Sequence, residues 1–348
     1  IVRGAKPGKT YGLRCDIDAL PIEEETDLPY KSKTPGKMHA CGHDTHAAML
    51  VGAAKVLMQV KDQLCGTVKL LFQPAEETFE GAKDMIANGI LDGVDAALAY
   101  HVSTGRMPVG IFMYNDSGTM MNSVDGFRIT VYGKGSHGAY PQNSIDPINI
   151  GVHIYLALEA LLAREANPNK TCVMTVGQFT AGAAANIIPD TAILQGTIRT
   201  NDRDSRALLV RRMKETAEKT AEVYGGTASV EMISEVPPLI CDSALTKQIV
   251  GYMQELPIPG LVPYPGVSAN ASEDFASVAE RVPVPLRGFP RRARRRARAQ
   301  PQGALQRGCL PHRCELPDAL RHPLAGGEQI RTKTDRERAG TLHRYRYL

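Results

Sequence analysis

The segment MHACGHDTHAAML, residues 38–50, concentrates side chains that can bind a metal ion. It contains Cys41, His43 and His46, and it runs into an apolar pattern typical of a helix. Because a glycine separates Cys41 from His43, a tight turn there could aim both side chains the same way, and the sulfur could bridge two ions. Thiolate and imidazole are common ligands of divalent transition metals, zinc above all. The segment therefore indicates a metal site at the start of a helix.

Further polar side chains stand where other apolar runs end. Asp16 and Asp18 close one run, Glu76 and Glu77 close a second, and His101 closes a third. Neighbouring side chains in an extended chain diverge, so one glutamate of the pair can bind metal while the other acts on water as a general base. A lone Cys-Gly-His or Glu-Glu pair is more often structural or solvent-exposed. Their joint placement at the ends of apolar runs favours the catalytic interpretation.

Strand-like and helix-like runs alternate through the same region. In order they are the strand YGLRCDIDALP, the helix HAAMLVGAAKVLMQV, the strand TVKLLFQPAEE, the helix GAKDMIANGIL and the strand VDAALAYHV. Such alternation predicts an α/β fold with a mostly parallel sheet flanked by helices. Ligands of these sheets bind beyond the carboxyl ends of the strands, which is where the acidic and histidine side chains lie.

Two further histidines of the first segment are less informative. His46 lies three residues after His43 on the same face of the predicted helix. It could donate a hydrogen bond to a metal ligand, but a histidine whose own hydrogen bonds are satisfied and which binds no metal is the more common case. No role is assigned to His39.

The composition favours a globular protein. The chain has 348 residues and 43% hydrophobic content, enough for one large domain or two ordinary ones. No run approaches the roughly 20 apolar residues of a membrane helix, and IVRGAKPGKT lacks the features of a secretory signal. We therefore expect a cytoplasmic protein without a membrane partner, although Ile1 leaves a fragment edge as an alternative. Seven scattered cysteines, an odd number, indicate reduced thiols.

Charge divides the chain sharply. Residues 284–348 carry 15 Arg, one Lys and five acidic side chains, whereas residues 1–283 carry 25 basic and 32 acidic side chains. A segment so rich in Arg, Pro and Gly cannot bury enough apolar surface to offset its chain entropy, so disorder is predicted there. We expect no specific nucleic-acid partner; nonspecific binding of polyanions through this tail is the functional alternative.

Four motifs in order resemble the metal-dependent aminoacylase and carboxypeptidase superfamily: HACGHDTHAAMLVGAA, LLFQPAEE, GAKDMIANGIL and the strand ending in YHV. The similarity is to its branch of hippurate hydrolases, N-acyl-L-amino acid amidohydrolases and indoleacetyl-amino acid hydrolases, and it covers about residues 1–283. It implies hydrolysis of the amide bond of N-acyl amino acids, hippurate-like or other small conjugates. It also implies two divalent metal ions, with zinc or manganese expected before cobalt or nickel.

The resemblance implies a role for each matching residue. Metal ligands would be Cys41, His43, Glu77 and His101, and Glu76 would be the general base that takes a proton from water and passes it to the leaving amine. The motif that closes the first strand implies a further acid, Asp18, that orients a neighbouring ligand.

Substrate contacts are implied in a second region of the chain. His137 of SHGAYP would help to hold the substrate carbonyl, reaching the site by domain closure or from a partner subunit. Asn186 and Arg199 would line the same lid, and the guanidinium would suit the free carboxylate of the substrate. Internal pairing of Arg199 and an ordinary loop position for His137 are the alternatives.

The same resemblance implies a domain organisation. Residues 1–118 and 232–283 would form the catalytic domain, which lacks a helix-rich segment that usually precedes YGLRCDIDALP. Residues 119–231 would form an inserted α+β lid and dimerisation domain, so that we expect a homodimer, and residues 284–348 would be an aberrant tail.

The end of the chain departs from the family pattern, which supplies a last histidine ligand in a His-Asn-Pro-like context. Nothing after Pro283 matches it. Candidates by residue type alone are His312, His322 and His343, and the spacing of CLPHRC, residues 309–314, fits no ordinary zinc module. A shifted reading frame near residues 282–284 would account for both the Arg-rich composition and the lost ending. The alternative function is a catalytically impaired chain that still dimerises.

Overall fold

The computed structural model describes residues 1–104 and 108–291, which all belong to one compact unit. The strands are β1 (Val2–Arg3), β2 (Lys6–Asp16), β3 (Cys65–Gln73), β4 (Ala96–Thr104), β5 (Ile111–Tyr114), β6 (Thr119–Met121), β7 (Val124–Tyr132), β8 (Ser136–His137), β9 (Cys172–Ala181), β10 (Ile187–Ile188), β11 (Thr191–Thr200), β12 (Thr227–Val236), β13 (Leu239–Ile240), β14 (Val262–Tyr264) and β15 (Leu286–Arg291). The helices are α1 (His43–Gln59), α2 (Gly81–Ala87), α3 (Pro147–Glu165), α4 (Arg203–Val223), α5 (Ser243–Gln254) and α6 (Ala276–Ala279). Among the described residues, no helix combines the length and apolar character needed to cross a lipid bilayer.

The main sheet of the described residues has seven strands in the order β1-β3-β2-β4-β15-β5-β14. The pairs β2–β3, β2–β4, β4–β15 and β5–β14 are parallel, whereas β1–β3 and β5–β15 are antiparallel. Helix α1 packs against β2, β3 and β4, and α2 packs against β3. The predicted mostly parallel sheet flanked by helices is therefore confirmed.

The carboxyl ends of three parallel strands lie side by side in this sheet. Asp16, the last residue of β2, is level with Gln73, the last residue of β3. Arg14 of β2 is level with Ala99 of β4, two residues before His101. The turns that follow β2 and β3 therefore open at the same edge of the sheet as the end of β4, as the sequence predicted.

Strand β15 lies inside the region predicted to be a disordered tail. It pairs with β4 from Ala99 to Thr104 and also with β5, so its backbone groups have partners on both sides. The expectation of disorder from residue 284 onward is therefore wrong for Leu286–Arg291. The prediction failed because it used the average composition of the Arg-rich region, which does not reveal a strand of only six residues. The rest of the predicted tail, residues 292–348, lies outside the described residues.

A second sheet contains four antiparallel strands in the order β12-β7-β11-β9. Helices α3 and α4 pack against each other and against strands of this sheet, so the α+β content expected for residues 119–231 is present. Its core is formed by Phe127, Ile129, Val131, Ile150, Ile154, Leu158, Leu161, Met174, Ala192, Leu194, Ile198, Leu209, Met213, Ala217 and Ala221. This core is distinct from the one beside the main sheet. That residues 119–231, which contain this second sheet, act as a lid stays a prediction.

Both long helices of this second sheet begin at an aspartate. The carboxylate of Asp146 accepts hydrogen bonds from the first backbone N–H groups of α3, and Pro147 occupies the first helical position. Asp202 accepts from the backbone N–H of Ser205 at the start of α4. A side-chain acceptor at this position satisfies an N–H that has no partner within the helix. The sequence thus sets where each helix starts, and the apolar stripe that follows packs against the sheet.

Helix α4 offers a matched test of this packing. Leu209 is fully buried in the core, whereas Val223 on the same helix is 78% exposed. We expect Leu209→Ala to lower the free energy of unfolding by about 2–5 kcal/mol, because apolar burial is lost and a cavity remains. Val223→Ala should change it by less than about 0.5 kcal/mol. Urea denaturation measures both, and equal effects would contradict the assigned orientation of the helix.

Candidate metal centre

The candidate ligands, the orienting acid and the general base come from four segments that meet at the carboxyl edge of the main sheet. They are Asp18 after β2, Cys41 and His43 at the start of α1, Glu76 and Glu77 after β3, and His101 in β4. Gly42 has φ 98°, a left-handed conformation that residues with a Cβ rarely adopt. This backbone conformation allows α1 to begin at His43 immediately after the turn that presents Cys41.

Cys41, His43 and His101 form one group of potential ligands, and the ligand atoms of the three lie within 4.8 Å of one another. The Sγ of Cys41 is 3.3 Å from the Nε2 of His101. His43 also belongs to a second group, which contains Glu76 and Glu77. Because the two groups share a histidine, they form one continuous centre. The structure therefore brings together the four expected ligands and the expected base.

Asp18 fixes the ring of His43. The Nδ1 atom of His43 lies 2.9 Å from Oδ1 of Asp18 and 3.1 Å from its backbone oxygen. The other carboxylate oxygen accepts a hydrogen bond of 2.9 Å from the backbone N–H of Glu77. The two acceptors at Nδ1 place a proton on that nitrogen and turn Nε2 toward the centre, the usual arrangement of a histidine that binds metal through Nε2. Asp18 thus has the geometry expected of the orienting acid.

Two buried polar atoms in the centre have no hydrogen-bond partner within the described part of the chain. They are Nε2 of His43 and Oε1 of Glu77, which lie 3.9 Å apart. A buried acceptor without a partner normally costs free energy. A divalent cation between the two atoms would satisfy both, and the combination of thiol, imidazole and carboxylate suits a borderline-soft metal. These residues therefore fit a metal ion.

His101 is held in a state that can bind metal. Its Nδ1 donates a hydrogen bond of 2.6 Å to the backbone oxygen of Val102, which leaves Nε2 directed at Cys41. Burial lowers the pKa of His101 to about 4, and the neighbouring His46 adds to this effect. The ring is therefore neutral at pH 7, as a metal ligand must be.

Negative charge accumulates around the proposed ligands. Burial, together with the nearby carboxylates of Glu273 and Asp274, raises the pKa of Glu76 to about 10. The pKa of Glu77 is raised by burial as well. Burial also raises the pKa of the Cys41 thiol, with further contributions from Glu77 and Glu76. A bound cation would oppose all of these shifts, because it favours the ionised form of each group.

A buried charge network behind the centre was not assigned from the sequence. Arg14 donates to Asp16 at 2.7 Å and to Glu273 and Asp274 at 2.9 Å each. Gln73 accepts from the guanidinium and donates to Asp274. All of these side chains are buried. Burial would lower the pKa of Arg14, but the three carboxylates outweigh it and hold that pKa above its usual value, so the guanidinium stays charged.

Part of this network left a signal in the sequence. Arg14 and Asp16 are two positions apart in β2 and so lie on the same face of the strand. Glu273 and Asp274 stand just before the apolar residues of α6. Charged residues in such positions are rarely buried unless they are paired. The distance of 259 positions between Arg14 and Glu273 kept their pairing invisible to local pattern analysis.

His46 has partners at both ring nitrogens. Its Nδ1 donates to a carboxylate oxygen of Asp16, and its Nε2 accepts a hydrogen bond of 2.8 Å from the backbone N–H of Val102. Both ring nitrogens of His46 are therefore satisfied, as the more common case expects; that His46 binds no metal stays a prediction. His39 has a buried Nδ1 without a partner among the described residues.

The three predicted substrate residues lie outside the four segments that carry the candidate metal ligands. His137 is exposed, and its strand β8 pairs with β10 next to Asn186. Arg199 of β11 donates to the backbone oxygen of Asn270 at 3.3 Å and to Oγ of Ser272 at 3.1 Å. His137 belongs to none of the groups of potential ligands found within residues 1–104 and 108–291. The internal pairing considered for Arg199 is present.

Several candidates named from the sequence cannot be compared with this geometry. His312, His322, His343 and the CLPHRC segment, residues 309–314, lie outside the described residues. The candidate last ligand and the polyanion-binding tail therefore stay predictions.

Comparison with known proteins identifies similar chains. The model of a family described as Peptidase family M20/M25/M40 matches residues 12–301. N-acetyl-L-cysteine deacetylase of Bacillus subtilis strain 168 is 40% identical over 286 residues, a match that covers 81% of this chain and 67% of the relative. Thermostable carboxypeptidase 1 of Saccharolobus solfataricus is 44% identical over 239 residues, with coverage of 68% and 60%. The matches thus span two thirds or less of the length of these two relatives.

A solved structure shares the fold. The crystal structure of the Bacillus subtilis YXEP protein, described as a dinuclear metal-binding peptidase from the M20 family, superimposes with a TM-score of 0.74 and 32% identity. The match covers 89% of this chain and 79% of that one. A two-metal protein of similar architecture is consistent with the paired ligand groups around His43.

The charge network offers a test in the protein without metal. We expect Arg14→Met to lower the free energy of unfolding at pH 7 by about 3–5 kcal/mol, because buried carboxylates lose their cation. Arg128→Met is the control, since Arg128 pairs with Glu231 at the surface and such pairs contribute less than about 1 kcal/mol. Urea denaturation compares the two variants. A loss at Arg14 no greater than at Arg128 would disprove the structural role given to this network.

Proposed function

Because the chain belongs to peptidase family M20/M25/M40, we propose that it hydrolyses the amide bond of N-acyl amino acids at a centre of two divalent metal ions. The observation that carries this proposal is the pair of buried, unpartnered atoms, His43 Nε2 and Glu77 Oε1, beside the thiol of Cys41 and the ring of His101. Each of these side chains carries an atom of a type that binds divalent metal ions.

The residues that would hold the ions are Cys41, His43, Glu77 and His101. Zinc or manganese is the first expectation, with cobalt or nickel as alternatives. When bound, such ions supply Lewis acidity toward the amide carbonyl and lower the pKa of water. Asp18 would keep His43 oriented through the hydrogen bond at Nδ1, so that the ligand set is rigid before any substrate enters.

Glu76 is the proposed general base. Its Oε2 lies 4.0 Å from Nε2 of His43, close to the ligands but, in the proposed assignment, not one of them. The carboxylate would take a proton from water and hand it to the nitrogen of the leaving amine. Burial and acidic neighbours raise the pKa of Glu76. A bound cation would lower that pKa, so that the carboxylate is ionised when it meets water and can accept the proton.

The proposed substrates are hippurate-like or related small N-acyl conjugates with a free carboxylate. In this proposal Arg199 would bind that carboxylate, His137 would help to hold the substrate carbonyl, and Asn186 would line the same lid. Arg199 would have to exchange its present contacts with Asn270 and Ser272, and His137 would have to approach by domain closure or from a second subunit. The N-acetyl-L-cysteine deacetylase relative supports an amide substrate of this kind.

We also propose a homodimer formed through residues 119–231. Strand β9 stands at an edge of the second sheet, with Val173 and Phe179 exposed. Helix α3 exposes a further apolar group: Ile148, Val152, Tyr155 and Leu156. An open strand edge beside exposed apolar side chains is a surface that a second copy can cover.

The role of Glu76 can be tested with the intact chain and a panel of N-acyl amino acids that includes hippurate. We expect Glu76→Gln to lower kcat about 10²- to 10⁴-fold while the metal content measured by mass spectrometry stays the same. Glu80, four positions after Glu76, is exposed, so Glu80→Gln should leave both kcat and the metal content unchanged. Full turnover by the Glu76 variant would eliminate this residue as the base. A wild-type chain that binds two ions but cleaves no substrate would favour the catalytically impaired alternative.

The proposed dimer predicts a selective effect at α3. Leu156 is 55% exposed, and Met58 of α1 is 53% exposed. Sedimentation velocity should give a dimer for the wild type and for Met58→Lys, but a monomer for Leu156→Lys, because a lysine at the interface would be buried without a partner. A monomeric wild type, or a dimer in both variants, would refute an interface on this helix.

A further inference from the structure

We propose that His46 is a positioning residue that holds His101 in the orientation needed to bind a metal ion. This inference rests on the proposed metal centre but concerns a residue outside the proposed ligand set. The path runs from His46 through the backbone of Val102 to the ring of His101.

The hydrogen bonds of His46 define its orientation. The side chain is 2% exposed, and the carboxylate of Asp16 can only accept at Nδ1, so the proton of the neutral ring lies on that nitrogen. The lone pair at Nε2 then accepts the backbone N–H of Val102 at 2.8 Å. With both nitrogens engaged, the ring is held in one orientation and is not available as a metal ligand.

The backbone N–H of Val102 needs this acceptor. Pairing between β2 and β4 ends at Arg14 and Ala99, so β2 offers no further partner on that side of β4. A buried backbone N–H without a partner is costly. His46 supplies the acceptor that the neighbouring strand no longer provides, and it thereby fixes the backbone of β4 at its carboxyl end.

Val102 also holds the ring of His101 in place, through its backbone oxygen. The backbone oxygen of Val102 accepts a hydrogen bond of 2.6 Å from Nδ1 of His101. The rings of His46 and His101 also pack edge to face, with centroids 4.8 Å apart. These two contacts direct Nε2 of His101 toward Cys41, at 3.3 Å from its sulfur.

The support behind His46 is itself rigid. Asp16 is fully buried and accepts from Arg14 at 2.7 Å, and Arg14 is bound in turn by Glu273 and Asp274. A network whose members are all buried and paired restricts the movement of each member. Groups that orient a ligand from behind in this way typically change metal affinity about 10- to 100-fold when they are removed.

A double-mutant cycle on the full-length protein tests whether His46 acts through His101. Zn²⁺ affinity is measured by competition with a chromophoric chelator, and circular dichroism checks that each variant is folded. We expect His46→Ala to weaken binding of one Zn²⁺ ion about 10- to 100-fold. The same substitution should have no further effect in the His101→Ala background, because effects that act through one group are not additive. His153→Ala is the control, since His153 of α3 stacks on Tyr224 at the end of α4, away from the proposed metal centre.

A pair of amide variants protects the test against simple loss of folding. The amide of glutamine reaches the position of Nε2 and can accept from Val102, whereas that of asparagine reaches only the position of Nδ1 and can serve Asp16 alone. We therefore expect His46→Gln to retain more Zn²⁺ affinity than His46→Asn. Equal loss in both backgrounds of the cycle, or better binding by the asparagine variant, would overturn the inference. Unchanged Zn²⁺ affinity in every His46 variant would overturn the role of His46 but leave the proposed metal centre intact. A wild type that binds no Zn²⁺ would contradict the metal centre itself.

Discussion

The structure depends on one electrostatic constraint, a surplus of buried negative charge around one guanidinium. The buried carboxylates beside Arg14 in the described residues are those of Asp16, Glu76, Glu273 and Asp274. Buried carboxylates repel one another strongly because the repulsion is poorly screened, so each must be balanced by a nearby cation or neutralised by a proton. Without a further cation the pKa of Glu76 rises to about 10, first through burial and then through its acidic neighbours. Divalent ions at the adjacent ligands would relieve the same repulsion.

The fold concentrates these groups because parallel strands end at the same edge of a sheet. Strands β2, β3 and β4 each bring polar residues to that edge, and α1 begins there with its histidines. The second sheet has its own core, yet Arg199 reaches from it to Asn270 and Ser272. The residues that follow, Glu273 and Asp274, belong to the charge network, so contacts to the second sheet and the metal centre share one segment.

Local patterns predicted the strands and helices, because these features depend on residues close in sequence. The convergence of Cys41, His43 and His101 followed from the rule that parallel strands end at one edge of a sheet, where ligands bind. The pairing of Arg14 with Glu273 joins positions 259 apart, and no local pattern reports it. The role of His46 depends on where β2 stops pairing with β4, which only the strand register reveals. Strand β15 was missed because its composition resembles the Arg-rich residues around it, while its stability comes from two neighbouring strands.

The most direct measurement of the central claim is anomalous diffraction from crystals grown with Zn²⁺, recorded above and below the zinc absorption edge. The account predicts two anomalous peaks at the carboxyl edge of the main sheet, within bonding distance of Cys41, His43, Glu77 and His101. An edge without peaks, or zinc bound elsewhere while His43 Nε2 and Glu77 Oε1 stay unpartnered, would contradict it.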